Sequence, residues 1–286
     1  MSHIHHDALS KLVKRLIVLT GIACLIGCSS GPVIDASSPN RIAHSIELED
    51  IDNPLRLVVT LPDGYDAGRP SGYPMLFHVA FDGDSDQWTQ SVVQSLMDEN
   101  SIPDIIVVSF DGSTTNDAQF SPRGDQDSNG SGAANFLDQI EEAVIPLLAN
   151  EYNVGDDLIL AGWSRFGVFT SYALSHNPDF FSGYIIRSSA PDDSFLHPAI
   201  SDALSGISTT KTVVHVSIGT EGNEVSRRDS FDKFLQLLSN SNSSNLRWQA
   251  DVVDGAGHIQ TFQPGLRSGL KFYFDDSQTE SEPDAG

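Results

Sequence analysis

The sequence predicts an α/β fold with a mostly parallel central sheet and helices on both faces. Short apolar runs alternate along the chain with segments of helical periodicity, which is the pattern that parallel strands joined by crossover helices require. The chain has 286 residues and a hydrophobic share of 39%, enough for one large core. No long polar linker divides residues 41–275, and we therefore expect one domain over that range.

The predicted elements follow one another in a regular order. Strands are expected in RIAHSIEL, LRLVVTLP, YPMLFHVAF and DIIVVSF, with a helix near Gln87 to Glu99 before the fourth strand. The next helix, AANFLDQIEEAVIPLLANEY, repeats Phe136, Ile140, Val144 and Leu147 at helical spacing. The remaining elements are strand LILAG, a helix from Arg165, strands GYIIRSS and TVVHVSIG, helix RRDSFDKFLQLLSN, strand LRWQADVVD and a helix near Thr261 to Tyr273.

The first 27 residues are typical of a secretory signal and are not expected to join the fold. Three basic residues precede an apolar run at residues 16–26, which is too short to span a bilayer comfortably. The run LIGC, residues 25–28, resembles the lipobox of bacterial lipoproteins. That resemblance implies cleavage before Cys28 and lipidation of its thiol. An ordinary export signal and a buried apolar helix remain as alternatives.

The lipobox resemblance also implies a location in the bacterial cell envelope. Ser29 after the cysteine is not a retention signal of the aspartate kind, so the expected anchor is in the outer membrane, facing the periplasm or the exterior. We expect residues 28–40 to form a Pro/Ser-rich tether and residues 276–286 an acidic tail in solvent. The only cysteines, Cys24 and Cys28, precede the domain, which therefore has no disulfide and no thiolate metal site.

The charge of the chain excludes one class of partner. Sixteen Lys and Arg residues stand against 39 Asp and Glu residues, for a formal charge of −23. Nucleic acids and anionic membrane surfaces both require a basic face for attraction. We therefore expect no nucleic-acid partner and membrane contact only through the N-terminal lipid. The acidity itself indicates a solubilising surface, or else attraction of cationic substrates.

The stretch LILAGWSRFGVF places a serine, Ser164, between a predicted strand and a predicted helix. Such a turn exposes the hydroxyl and directs the helix N-terminus at developing negative charge. A serine nucleophile needs a base, and His258 follows the last strand among glycines. Between them, Glu221 and Glu224 follow a strand end, and Glu221 is preferred because it lies closer to the strand. The chain order is then serine, acid, histidine.

These segments together resemble the putative-esterase family of α/β-hydrolases, which includes esterase D, feruloyl esterases and hydrolases of ferric siderophore esters. The resemblance spans about residues 41–275 and depends on segment order, from YPMLFHVAFDGDSDQW to DGAGHIQTF. It implies an α/β-hydrolase fold, a small-molecule ester substrate and no cofactor. It also implies the following site residues: Ser164 as nucleophile, His258 as base, Glu221 or Glu224 as acid, and an oxyanion hole from the backbone N–H groups of Arg165 and of Asp82 or Gly83.

The chain departs from the family pattern directly after the serine. The family has G-x-S-x-G-G, whereas here Phe166 precedes Gly167. Because glycine permits close helix–strand packing, Phe166 must point into a widened gap or shift the turn. Two function classes follow: an envelope-anchored ester hydrolase, or an impaired hydrolase-like lipoprotein that binds or scaffolds. Arg165 is interpreted either as a contact for an acidic substrate group or as a solvated residue. Trp163 is interpreted as packing under the turn in preference to a platform for substrate.

One further segment partly matches a calcium-binding loop. DQDSNG supplies Asp125, Asp127 and Asn129 at the spacing of a calcium loop. The twelfth position, where a bidentate glutamate belongs, is Phe136. The sequence therefore predicts a polar glycine-rich loop rather than a metal site. His78 and His215 lie within apolar strands and are interpreted as structural, and the oligomeric state is left open.

Overall fold

An eight-stranded sheet forms the centre of the molecule. The computed structural model describes residues 34–47, 54–115, 120, 132–189, 196–207 and 211–275. Its strands run in the order β1-β2-β4-β3-β5-β6-β7-β8, parallel from β4 to β8 and antiparallel at β1 and β2. Their bounds are β1 Arg41–Ile46, β2 Leu55–Thr60, β3 Tyr73–Ala80, β4 Ile106–Asp111, β5 Val154–Trp163, β6 Gly183–Arg187, β7 Thr212–Gly219 and β8 Leu246–Val253.

Helices cover both faces of this sheet. Their bounds are α1 Gly83–Asp98, α2 Gly132–Gln139, α3 Ile145–Glu151, α4 Arg165–His176, α5 Leu196–Gly206, α6 Asn223–Asn240 and α7 Phe262–Phe274, with a π-helical turn at Ile140–Val144 and a 3₁₀ turn at Ile259–Thr261. Helices α1 and α7 contribute to one apolar cluster, and α2 to α6 contribute to the other. Every residue of β3, β4 and β7 is buried, as expected for parallel strands covered on both faces.

The helix predicted from AANFLDQIEEAVIPLLANEY is continuous but changes register. Phe136, Ile140 and Val144 are buried as expected. The next buried position is Leu148, whereas the predicted Leu147 is only partly buried. The π-helical turn at Ile140–Val144 inserts one extra residue, and the apolar face therefore moves on by one position.

Two other features differ from the expectations. Helix α5 was not predicted, although Leu196, Ile200 and Leu204 are buried at a regular spacing of four. The folded body also begins earlier than residue 41, because Ile34 is 3% exposed and packs against Val58 and Ala80. Apolar burial thus fixes the last part of the expected tether against the sheet.

Several predictions from the sequence concern residues that the structure does not describe. These are the signal with Cys28, the calcium-loop residues Asp125, Asp127 and Asn129, and the tail at 276–286. Phe136, at the twelfth loop position, is buried in the core. Within the described ranges, none of the helices has the length and apolar character that a membrane span needs.

Candidate active site

Ser164 lies on a strained turn between β5 and α4. Its backbone has φ 57° and ψ −121°. This left-handed region costs a residue with a side chain about 1–3 kcal/mol. The turn brings Ser164 to the carboxyl edge of the parallel strands, where ligands bind in α/β sheets. Helix α4 begins at the next residue, so its positive N-terminal end lies beside the hydroxyl.

Two glycines allow α4 to lie close to the sheet at this turn. A Cβ at Gly162 would collide with the Phe166 carbonyl oxygen and the Thr170 side chain, and a Cβ at Gly167 would lie 2.6 Å from Ser189 Cβ. Phe166 is 1% exposed and packs against Phe120 at a ring distance of 5.3 Å. The expected gap or shifted turn at Phe166 is therefore not present. The ring enters the core, and the close contact that requires glycine falls one position later.

The neighbouring strand β6 holds the turn in place. The Ser164 backbone N–H donates to the Arg187 carbonyl oxygen at 3.0 Å. The Arg187 guanidinium donates to the carbonyl oxygens of Gly162, at 3.3 Å, and Phe262, at 2.9 Å. Burial lowers the pKa of Arg187 to about 9, so at neutral pH this side chain is a buried cation beneath the serine.

His258 connects the serine to a carboxylate. Its Nε2 lies 2.9 Å from Ser164 Oγ, and its Nδ1 lies 2.7 Å from Glu224 Oε1. A carboxylate only accepts hydrogen bonds, so we assign the ring proton to Nδ1. Nε2 then presents its lone pair to the Ser164 hydroxyl. The three groups form one hydrogen-bonded chain from carboxylate to hydroxyl.

Glu224 is buried in the first turn of α6 and is ionised. Burial alone would raise its pKa, but hydrogen bonds from His258, Ser188 and the Gly219 N–H hold it below its ordinary value. The Gly219 bond reaches Oε2 at 3.2 Å. Arg227 Nη1 donates to Oε1 at 2.9 Å and lies 3.5 Å from His258 Nδ1. The carboxylate is thus held from several directions.

Of the two candidate acids, the structure places Glu224, the alternative, against the imidazole, and not the preferred Glu221. Glu221 is exposed, and its backbone N–H donates to the Ala256 carbonyl oxygen at 3.0 Å. The loop after β7 turns at Gly222, with φ 58°, and brings the first turn of α6 back to the strand end. Glu224 therefore lies nearer to the imidazole, although it is further along the chain.

The turn after β3 supplies the second set of backbone donors. Asp82 caps α1, and its N–H donates to Ser85 Oγ at 3.1 Å in a capping box. Of the two backbone N–H groups expected in the oxyanion hole, that of Asp82 is therefore already bonded within the capping box. The capping box does not use the N–H of Gly83. Phe81 packs edge-on against Trp163 at 6.0 Å, which brings this turn beside the serine turn.

A buried polar network supports that turn from below. His78 Nε2 lies 2.7 Å from Ser109 Oγ, which donates to Asp86 Oδ1 at 2.9 Å. Asp86 forms an ion pair with Arg41 at 2.7 Å. Burial lowers the pKa of His78 to about 4, so this imidazole is neutral at physiological pH. The network fixes the first turn of α1.

Trp163 contacts the imidazole directly. Its ring stacks on His258 with centroids 4.3 Å apart and an interplanar angle of 29°, and its indole N–H donates to the His258 carbonyl oxygen at 3.2 Å. The sequence indicated packing under the turn but gave no signal for this contact. Arg165, beside the serine, is exposed.

A cavity of about 890 Å³ lies at the opposite edge of the sheet. Arg69, Gly155 and Lys211 are among its lining residues, near the amino ends of the strands. Loop residues 116–119, 121–131 and 190–195, which follow β4 and β6, lie outside the described part of the chain. Among the residues described, no cluster of three or more His, Cys, Asp or Glu side chains could hold a metal ion.

Comparisons with known proteins identify the family and the fold of the chain. A family model described as "Putative esterase" matches residues 49–273. An uncharacterised protein from Capnocytophaga ochracea has a TM-score of 0.71 at 14% identity, and the match covers 82% of this chain and 64% of that one. A search of curated proteins found no match.

Two further solved structures have a similar fold. An IroE-like serine hydrolase from Shewanella oneidensis has a TM-score of 0.70 at 19% identity, covering 82% of this chain and 80% of that one. Siderophore hydrolase EstA from Aspergillus nidulans has a TM-score of 0.65 at 18% identity, covering 83% and 95%. At these identities the likeness shows the fold, and the predicted α/β-hydrolase fold is confirmed.

Proposed function

Because the chain belongs to the putative-esterase family, whose members hydrolyse carboxylic esters, we propose that it does so through an acyl-enzyme formed on Ser164. The observation that carries this proposal is the hydrogen-bonded chain from Glu224 through His258 to Ser164, on a strained turn at the carboxyl edge of the sheet. Hydroxyl, base and carboxylate in this arrangement are what acyl transfer needs.

In the first half of the reaction, Ser164 Oγ attacks the ester carbonyl carbon while His258 Nε2 takes the hydroxyl proton. The backbone N–H groups of Arg165 and Gly83 would donate to the oxyanion, each contributing about 3 kcal/mol of transition-state stabilisation. His258 then returns the proton to the leaving alcohol oxygen. The carbon–oxygen bond breaks, and the acyl group stays on Ser164.

In the second half, water attacks the acyl-enzyme, and His258 takes a proton from it. The tetrahedral intermediate collapses, and Ser164 leaves with the proton that His258 holds. Glu224 keeps the imidazole in the tautomer that accepts at Nε2 and stabilises the imidazolium that forms in each half.

The alternative function, an impaired hydrolase-like binding or scaffold lipoprotein, depended on Phe166. Phe166 is accommodated in the core and the turn keeps its strained geometry. The presence of Phe166 therefore no longer favours an impaired enzyme.

We also propose the envelope location, with a lipid on Cys28. Its support is the lipobox-like LIGC run and the preceding apolar segment.

The substrate is proposed as a small ester. The name of one similar structure, siderophore hydrolase EstA, makes siderophore esters one class to include in a substrate panel. The first test is hydrolysis of short-chain p-nitrophenyl esters by the full chain in mild detergent, beside Ser164→Ala. We expect the variant to lose activity by at least about 10⁴-fold while its circular dichroism is unchanged. Equal rates for the two proteins would contradict the proposal.

A further inference from the structure

Trp163 makes two separate contacts with His258, a residue 95 positions further along the chain. The indole face lies against the imidazole face at 4.3 Å. The indole N–H donates to the backbone carbonyl oxygen of the same histidine at 3.2 Å. One side chain therefore restrains both the ring and the main chain of the base.

The indole is itself held on its other sides. Phe262 packs edge-on against it at 5.5 Å, and Phe81 does so at 6.0 Å. Its backbone belongs to the last position of β5, paired with Arg187 of β6. The Trp163 side chain is thus held in a fixed position beside the imidazole.

The backbone of His258 is also held by its own loop, since Thr261 Oγ1 donates to the same His258 carbonyl oxygen at 2.6 Å. The main effect of Trp163 is therefore expected on the imidazole ring. The hydrogen bond to Glu224 fixes Nδ1 but leaves the ring able to tilt about that contact. A flat aromatic face removes this tilt and keeps Nε2 directed at Ser164.

The same face has an electrostatic effect on proton transfer. Arg227 Nη1 lies 3.5 Å from His258 Nδ1, and this cation opposes the charge that the imidazole gains in the reaction. An aromatic face attracts a cation placed over it. Trp163 and Glu224 therefore both stabilise the imidazolium in the transition state and offset its repulsion by Arg227.

We propose that Trp163 is a positioning residue for ester hydrolysis, acting through His258 by stacking on the imidazole and by holding its backbone carbonyl. This inference rests on the proposed function. It assigns to Trp163 an effect on kcat rather than on substrate binding.

The test compares variants of the full chain in mild detergent with a matched control. Trp88 packs edge-on against the same Phe262 at the same 5.5 Å, so Trp88→Leu removes the equivalent contact with Phe262 and leaves the contact between Trp163 and the imidazole in place. Trp163→Leu should lower kcat by about 10- to 100-fold, as for misplacement of a catalytic group, with KM unchanged within about 3-fold. Trp163→Phe, which keeps a flat face, should recover most of that loss, and Trp88→Leu should stay near wild type.

A double-mutant comparison shows whether the effect passes through His258. In the His258→Ala background, Trp163→Leu should cause no further loss of the residual hydrolysis, because the group it positions is gone. Thermal unfolding checks each fold, and Trp163→Met replaces the leucine variant if that variant does not fold. Ser164→Ala is run in parallel, since its failure to reduce activity would reject the proposed function itself.

Three results would overturn the positioning role while leaving the proposed function intact. They are a rise in KM with kcat unchanged, a full additional loss in the His258→Ala background, or a loss in Trp88→Leu as large as that in Trp163→Leu. The first would instead make Trp163 a substrate contact, and the last would make it a packing residue.

Discussion

Two histidine–carboxylate pairs in the described part of the chain are hydrogen-bonded in different surroundings. His258 contacts Glu224 at 2.7 Å, and His215 of β7 contacts Asp251 of β8 at 3.0 Å. A serine is present at each. Ser164 lies against the free ring nitrogen of His258, whereas Ser268 donates to the carboxylate of Asp251. Only the first arrangement offers a base to a hydroxyl.

Access to the ring separates the pairs further. The His258 side chain is 21% exposed, and that of His215 is 0% exposed. Nδ1 of His215 has no hydrogen-bond partner among the described residues, and it faces Gly269, where a Cβ would lie 3.1 Å away. A histidine–carboxylate pair is therefore a structural device in one place and a candidate base in the other, and the position of the serine decides between them.

Replacing each histidine should give the largest contrast. His258→Gln should lower kcat/KM by about 10⁴- to 10⁶-fold, because the base is lost, with little change in stability. His215→Gln should keep the activity of the folded fraction and lower the unfolding midpoint, since it removes a buried partner of Asp251. Ester hydrolysis and urea unfolding of both variants measure this. Comparable activity losses in the two would remove the distinction between the pairs.

The two glutamates after β7 give the next contrast. Glu224→Gln should lower kcat by about 10²- to 10⁴-fold, because the imidazole loses its tautomer control and the charge that stabilises imidazolium. Glu221→Gln should stay within about 2-fold of wild type, as expected for an exposed side chain. Steady-state kinetics decide between them, and the reverse ranking would restore Glu221 as the acid.

The His215–Asp251 pair should change how the free energy of unfolding depends on pH. Hydrogen bonding from His215, and then from Ser268, lowers the pKa of Asp251 to about 2 from its ordinary 3.8. A carboxyl with a depressed folded-state pKa stabilises the fold above about pH 4, and this contribution is lost as the pH falls towards 2. Asp251→Asn should therefore lower the free energy of unfolding by about 1–2 kcal/mol at pH 7, after allowance for partial exposure.

Urea unfolding at pH 7 and at pH 3 checks this dependence. The difference between wild type and Asp251→Asn should narrow at the lower pH. A difference that stays constant would show that the carboxylate charge contributes nothing and that only packing is lost.

The sequence was informative where its signals are local. Ser164 and His258 each follow a strand, among residues typical of a turn. Glu221 was preferred as the acid because it lies nearer to the strand end in the sequence. The backbone reverses at Gly222, and the folded loop brings Glu224 to the imidazole instead. The predicted place of Leu147 on the buried face of the helix was wrong, because a π-helical turn inserts one residue and Leu148 is buried instead. The Trp163 contact joins segments 95 residues apart, for which the sequence has no periodic or motif signal.

The most direct test of the account is the covalent chemistry of Ser164. The full chain would be treated with a fluorophosphonate, and the labelled peptide would be identified by mass spectrometry. We expect one adduct, on Ser164, with labelling abolished in Ser164→Ala, strongly slowed in His258→Gln and retained in His215→Gln. Absence of an adduct in wild type, or an adduct on another serine, would contradict the assignment of Ser164 as the nucleophile.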